Sequence, residues 1–144
     1  MYIYKIKLEK NGDVKGMSKV GTSTQAWKAF DALDLKNESQ EVLAMLTLDT
    51  NGNLTGVFEV SRGSSTNCSI DVKEVLKRAL LVNAYAIILA HNHPSGNTAP
   101  SKLDKLETEK IARVCKDIGL VLADHLIIGL EEYEFFSFRE NGLI

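Results

Sequence analysis

Two of the chain's three histidines, His91 and His93, stand two residues apart directly after an apolar run that ends at Ala90. Alternate side chains of extended backbone leave the same side, so a strand running into this segment would deliver both imidazoles to one face. Two imidazoles converging from one strand end suit a divalent cation. Pro94 stiffens the chain behind them, and Gly96 lets it turn away. A carboxylate follows at Asp104, within a Ser101-x-x-Asp104 start to the next helical segment. On its own that start is an ordinary helix cap with a favourable negative charge in the first turn. Asp104, Ile111 and Cys115 nevertheless share one helical face. That face turns Asp104 inward, where an uncompensated carboxylate is costly and a cation compensates it. Capping by Ser101 and ligation by Asp104 are compatible, because the cap fixes the turn that aims the carboxylate. His91, His93 and Asp104 make three protein ligands and leave a fourth tetrahedral position for water, the open arrangement of a catalytic zinc site with one ion per chain. Zinc lowers the pKa of such a water and polarises a carbonyl, and a neighbouring carboxylate is needed to carry the proton.

These residues need elements to hold them. Tyr2 to Leu8 reads as a strand that turns at Asn11-Gly12, with Val14 to Val20 as its return. Ser23 or Thr24 is placed to cap a helix carrying Ala26, Ala29, Phe30 and Leu33 at helical spacing, with Trp27 in or beside its core face. Glu41 to Asp49 is apolar on both faces, as a central strand requires. Asn51-Gly52-Asn53 turns the chain into a second strand from Leu54 to Val60. Asp71-x-x-Glu74 resembles a capping box, ahead of a helix with Val72, Val75, Leu76 and Ala79 on one side. Ala84 to Ala90 predicts a buried strand that stops at the histidine loop. A helix from Lys102 to Ile118 ends at Gly119, and strands follow over Leu120 to Ile128 and Tyr133 to Phe138, joined through Gly129. Helices interleaved with strands predict a single α/β domain around one mixed sheet.

With the motif laid out, a resemblance is plain. His91-Asn92-His93-Pro94, six residues, then Ser101-Lys102-Leu103-Asp104 resembles the His-x-His-Pro-x6-Ser-x-x-Asp motif of the JAMM (MPN-plus) metalloproteases. Five fixed letters at these offsets would arise by chance in a chain this long on the order of once in 100,000. Ala90 to Gly96, Pro100-Ser101, Asp124-His125, Arg62-Gly63-Ser64 and the strand from Glu41 are similar to the RadC branch of that superfamily, over roughly residues 23 to 140. The resemblance implies a JAB/MPN (cytidine-deaminase-like) architecture, a mostly antiparallel mixed sheet flanked by helices, spanning 23–144 behind an extension of residues 1–22. It implies a catalytic glutamate on the first core strand, where Glu41 stands, with Glu38 and Glu59 as alternatives. It also implies that Ser101 hydrogen-bonds the metal water or the developing oxyanion. His125 belongs to a family-like pair, but no local spacing ties it to the site, so an ordinary core-edge histidine and a role near the metal both stay open. Longer RadC proteins carry an amino-terminal helix-hairpin-helix region that residues 1–22 do not match. Short forms of this kind resemble those on mobile elements and prophages.

Composition narrows the functions. Seventeen Lys+Arg against nineteen Asp+Glu leaves a net charge of −2, with no basic run, so direct DNA binding finds no support. No apolar run approaches the length of a membrane span, and MYIYKIKLEK has no signal-peptide core. Cys68 and Cys115 are too few for a disulfide framework or a four-cysteine cage and read as small hydrophobes. A reduced, cytoplasmic protein is expected. The leading expectation is a zinc metallopeptidase or isopeptidase acting on peptide or isopeptide-linked protein. A zinc deaminase is excluded, because neither its His/Cys-x-Glu nor its Pro-Cys-x-x-Cys segment is present. A DNA-repair-associated accessory protein, or a metal-binding interaction module without catalysis, are the other readings.

Overall fold

A computed structural model describes residues 18–63 and 70–144. The expected strand and turn before Lys19, as well as Ser64 and Cys68, lie outside the described residues. The chain forms α1 (Ser23–Phe30), β1 (Glu41–Leu48), β2 (Leu54–Gly63), α2 (Val72–Leu81), β3 (Ala86–Asn92), α3 (Lys102–Asp117), β4 (Val121–Ile128) and β5 (Phe135–Ser137), with two short 3-10 turns between α1 and β1. The five strands make one mixed, mostly antiparallel sheet in the order β2-β1-β3-β4-β5. Among the described strands only β3 and β4 pair in parallel, and α3 is the connection between them.

Both faces of the sheet are covered, which is why β1 and β3 are almost wholly apolar rather than alternating. On one face Val42, Ala44, Leu46, Ile88 and Ala90 pack against Ala26, Trp27, Ala29 and Phe30 of α1. On the other, Leu43, Met45, Ile87 and Leu89 meet Val75 and Ala79 of α2 and Ile111 and Cys115 of α3. His91 continues the Ile87–Leu89 row, so period-two geometry sends it to the α2/α3 face.

Several element ends differ from expectation, each for a local reason. Thr22, extended at φ −131° and ψ 158°, caps α1 by accepting from Gln25 N–H, while the Ser23 hydroxyl turns inward to a buried partner, Asp124. Asp71 caps α2 as expected, but Glu74 pairs with Lys77 and Arg78 instead of reaching back to the cap. The buried strand begins at Ala86, two residues late, because Asn83 has φ +54° and the Ala84 N–H still bonds the α2 carbonyl of Ala79. It also runs two residues further than Ala90, because β4 pairs with it through Asn92. Tyr133, at φ +59°, is kept out of β5. β2 extends to Gly63, paired with Glu41 across a bulge in the register near Leu43.

Candidate metal centre

β3 brings His91 to the carboxyl end of a parallel strand pair, the place where open α/β sheets form binding crevices. β1 is antiparallel to β3 with Leu43 opposite His91, so the start of β1 arrives at this same end. Glu41, two residues before Leu43, therefore emerges on the His91 side of the sheet. α3 approaches from the same face, anchored by Ile111 and Cys115. Its first turn carries Asp104, held by a complete capping box. Ser101 Oγ accepts the Asp104 N–H at 3.0 Å, and Asp104 Oδ2 accepts the Ser101 N–H at 2.7 Å.

The three expected ligands meet. His91 Nε2 and His93 Nε2 lie 3.0 Å apart. Asp104 Oδ1 is 3.4 Å from His91 Nε2, and Oδ2 is 3.4 Å from His93 Nε2. The three residues form a donor group of the kind that holds a metal ion. The chemistry of the donors fits such an ion. His93 Nδ1 lies 2.6 Å from the Asn97 carbonyl, which only accepts, so that nitrogen carries the proton and a neutral ring presents a bare Nε2 lone pair to the centre. With a second imidazole nitrogen 3.0 Å away, the pocket calls for a positive charge between them.

The electrostatics of the protein alone agree. The Asp104 side chain is 13% exposed. Its burial resists ionisation, but the adjoining His91 and His93 rings and the Ser101 N–H outweigh that and hold the carboxyl far below the ordinary range. The same Asp104 contact raises the His93 pKa against partial burial.

An open cleft lies beside the donors, lined by Glu41, Leu43, Ser61, Ile70, His91, Asp104 and Glu107. Glu41 is half-buried within it. Glu38 and Glu59 are instead engaged by Arg62, with Nη2 of Arg62 2.9 Å from Glu38 Oε1 and Nε 3.0 Å from Glu59 Oε1. Ser101 sits exposed at the α3 cap and is not part of the cleft wall.

Sequence reasoning missed several residues around the donors. Glu107 enters the cleft one turn after Asp104, and burial, then the charges of Asp104 and Glu41, raise its pKa against the opposing Ile70 N–H. Asn92 Oδ1 accepts the Val42 N–H at 2.8 Å, while its amide donates to the Glu38 and Gln40 carbonyls, tying β3 to the approach to β1. Thr108, four residues after Asp104 on a helix, was legible as an inward position but not as a partner. Its hydroxyl lies 2.7 Å from His125 Nδ1, and His125 Nε2 lies 2.8 Å from His91 Nδ1. His125 is thus wholly buried against a donor imidazole, and burial pushes its pKa well down.

An α/β sheet covered on both sides, with a His-His-Asp donor set at the carboxyl end of its parallel pair and a carboxylate across the cleft, is the arrangement of a JAB-type domain of the metal-dependent hydrolase superfamily. Family comparison makes the assignment specific, since a model described as the RadC-like JAB domain matches residues 21–143. The chain belongs to that family. It is 38% identical over 123 residues to the UPF0758 protein YfjY of Escherichia coli (strain K12), an alignment covering 85% of this chain and 76% of that one. It is 39% identical over 123 residues to a UPF0758 protein of Saccharophagus degradans, of which it spans 54%. Among the described residues no helix is long and apolar enough to cross a membrane.

Proposed function

We propose that this protein is a zinc-dependent hydrolase of amide or isopeptide bonds, with peptide or isopeptide-linked protein as its substrate class. The observation that carries the proposal is the convergence of two imidazole Nε2 atoms and Asp104 at the edge of an open cleft that Glu41 also lines. Zinc held by His91, His93 and Asp104 supplies a Lewis acid and a water that ionises near neutrality.

The chain's own groups divide the remaining work. Glu41 takes the proton of the attacking water and returns it to the departing amine, the task of a half-buried carboxylate in a cleft shielded by Leu43 and Ile70. Ser101 Oγ accepts the Asp104 N–H, and as a hydroxyl it still has a proton to donate toward the developing oxyanion. Arg62 keeps Glu38 and Glu59 on the rim as paired anions, so neither competes for the proton.

Metal content after chelator-free purification, compared between wild type and His93→Ala, tests the ligand set. Turnover of a panel of peptides and isopeptide-linked conjugates tests the chemistry. Stoichiometric zinc lost in the variant, with a substrate cleaved only by wild type, is expected. Equal metal content in the two proteins would remove the proposal's foundation.

A further inference from the structure

A chain of buried hydrogen bonds connects the Asp104 backbone to the His91 ring by way of two residues that neither line the cleft nor belong to the donor group. Thr108 Oγ1 lies 2.6 Å from the Asp104 carbonyl oxygen and 2.7 Å from His125 Nδ1. His125 Nε2 lies 2.8 Å from His91 Nδ1. Thr108 and His125 are both fully buried, and Phe138 stacks on the His125 ring at 4.9 Å and 15°. No water is needed to complete the chain.

Proton counting gives each link a direction. A carbonyl oxygen cannot donate, so the single Thr108 hydroxyl proton goes to Asp104. The hydroxyl oxygen must then accept from His125, which places the His125 proton on Nδ1. The His125 ring is wholly buried between a hydroxyl, another imidazole and a phenyl ring, and among the described residues no carboxylate contacts it, so it stays neutral. Its Nε2 is therefore bare and accepts from His91, which places the His91 proton on Nδ1. A neutral His91 ring, the form that binds a metal, has spent its one proton there. Nε2 carries a lone pair and points it at Asp104 and His93.

We propose that Thr108 and His125 are positioning residues that lock His91 in the tautomer able to bind a metal, the lock being set by the Asp104 main-chain carbonyl. Asp104 thus acts twice, with its carboxylate beside the metal position and with its carbonyl fixing the proton of the opposite ligand. The two ligands are coupled through α3, so His91 presents its lone pair only when the first turn of α3 is formed. His93 has a separate and shorter lock, the Asn97 carbonyl.

The proposal rests on the metal reading of the site, and its test separates the two. Nitrogen chemical shifts of the histidine rings in metal-free protein at pH 8 report which ring nitrogen carries each proton. The expected wild-type result is His91 protonated at Nδ1 and bare at Nε2, with His125 likewise protonated at Nδ1. Thr108→Val keeps the shape of the side chain and removes the hydroxyl, whereas Thr108→Ser keeps the hydroxyl. The valine variant should show mixed His91 tautomers and a 10- to 100-fold weaker affinity for Zn2+ in chelator competition, the usual range for loss of a partner behind a ligand. The serine variant should restore both. A wild-type His91 protonated at Nε2 would overturn the proposal, and this measurement needs no variant to fold. Equal loss of affinity in the valine and serine variants, or wild-type tautomers in the valine variant, would also overturn it by making Thr108 a packing residue. A wild type with the expected tautomers that binds no zinc would bring down the metal reading and leave the lock intact.

Discussion

Glu41 and Asp104 are carboxylates on the same cleft with different duties, and a one-atom exchange separates them. Asp104 lies 3.4 Å from both imidazoles, and their proximity with the Ser101 N–H holds it far below the ordinary carboxyl range, so the proposed function assigns it to the ligand set. Glu41 lines the cleft without a hydrogen bond or ion pair to either ring. Glu41→Gln keeps shape and hydrogen bonding but cannot accept a proton, so turnover should fall by ~100- to 10,000-fold while metal content stays at the wild-type level. Asp104→Asn should lose metal and turnover together. Atomic emission on the purified variants, beside a cleavage assay, checks both. Full turnover in Glu41→Gln would move the base to Glu38 or Glu59, both of which Arg62 engages. The donor residues were legible in sequence because ligand spacing is local: two imidazoles two residues apart on a strand, and a carboxylate in a helix's first turn. Thr108, Asn92 and Glu107 were not, because each acts across elements that sequence spacing cannot align.

The elements themselves were legible wherever burial dominates. β1, β3 and α3 follow from apolar runs and a cap, and their boundaries moved by only a residue or two. Where a boundary moved, a single backbone conformation or a distant partner was responsible, as at Asn83 and Tyr133 or in the pairing of β4 with His91 and Asn92. The least foreseeable feature is Asp124. It reads in sequence as half of a family-like pair, yet it is a wholly buried junction of α1, β4, β5 and the segment after β5. Its Oδ2 accepts the hydroxyls of Ser23 at 2.9 Å and Ser137 at 2.7 Å, and its Oδ1 accepts the N–H groups of His125 at 2.7 Å and Arg139 at 3.0 Å. Removing one carboxylate strands four donors, and hydrogen bonds to charged groups contribute about 1.5–3 kcal/mol each without adding fully. Asp124→Ala should therefore cost about 3 kcal/mol or more in urea unfolding. Thr22→Ala, which loses only the exposed α1 cap, should cost about 1 kcal/mol. Similar costs for the two would refute the junction's special weight.

For the molecule as a whole, the metal position lies at the rim of two cores that are complete without it. The α1 side of the sheet contains none of the three donors, and the α2/α3 side is closed by Leu89, Ile111 and Cys115 beneath them. This differs from small zinc modules, whose folding energy is metal-binding energy. A chelator should leave the far-ultraviolet circular dichroism spectrum unchanged and lower Tm by about 10 °C or less, since a ligand at 100 times its Kd stabilises by about 2.7 kcal/mol. Collapse of the spectrum at room temperature would make the site structural.

The three donors are not equally anchored, and that asymmetry sets the order in which they let go. His91 is embedded in β3, and Asp104 is clamped in the first turn of α3, whereas His93 rides on a loop. That loop is held by the Asn97 carbonyl and by the packing of Leu130 over Gly96, where an added Cβ would come within 2.6 Å of Leu130 Cδ1 and φ is +78°. Metal exchange should proceed by swinging His93 outward first, with the other two donors keeping the ion until a competitor arrives. Gly96→Ala strains this loop by roughly 1 kcal/mol and leaves the cores untouched. Stopped-flow transfer of zinc to a chelator should accelerate in that variant while Tm moves by only a few degrees. The lifetime of an ion held by these donors would thus be a property of one surface turn, adjustable without disturbing the scaffold that would define its affinity.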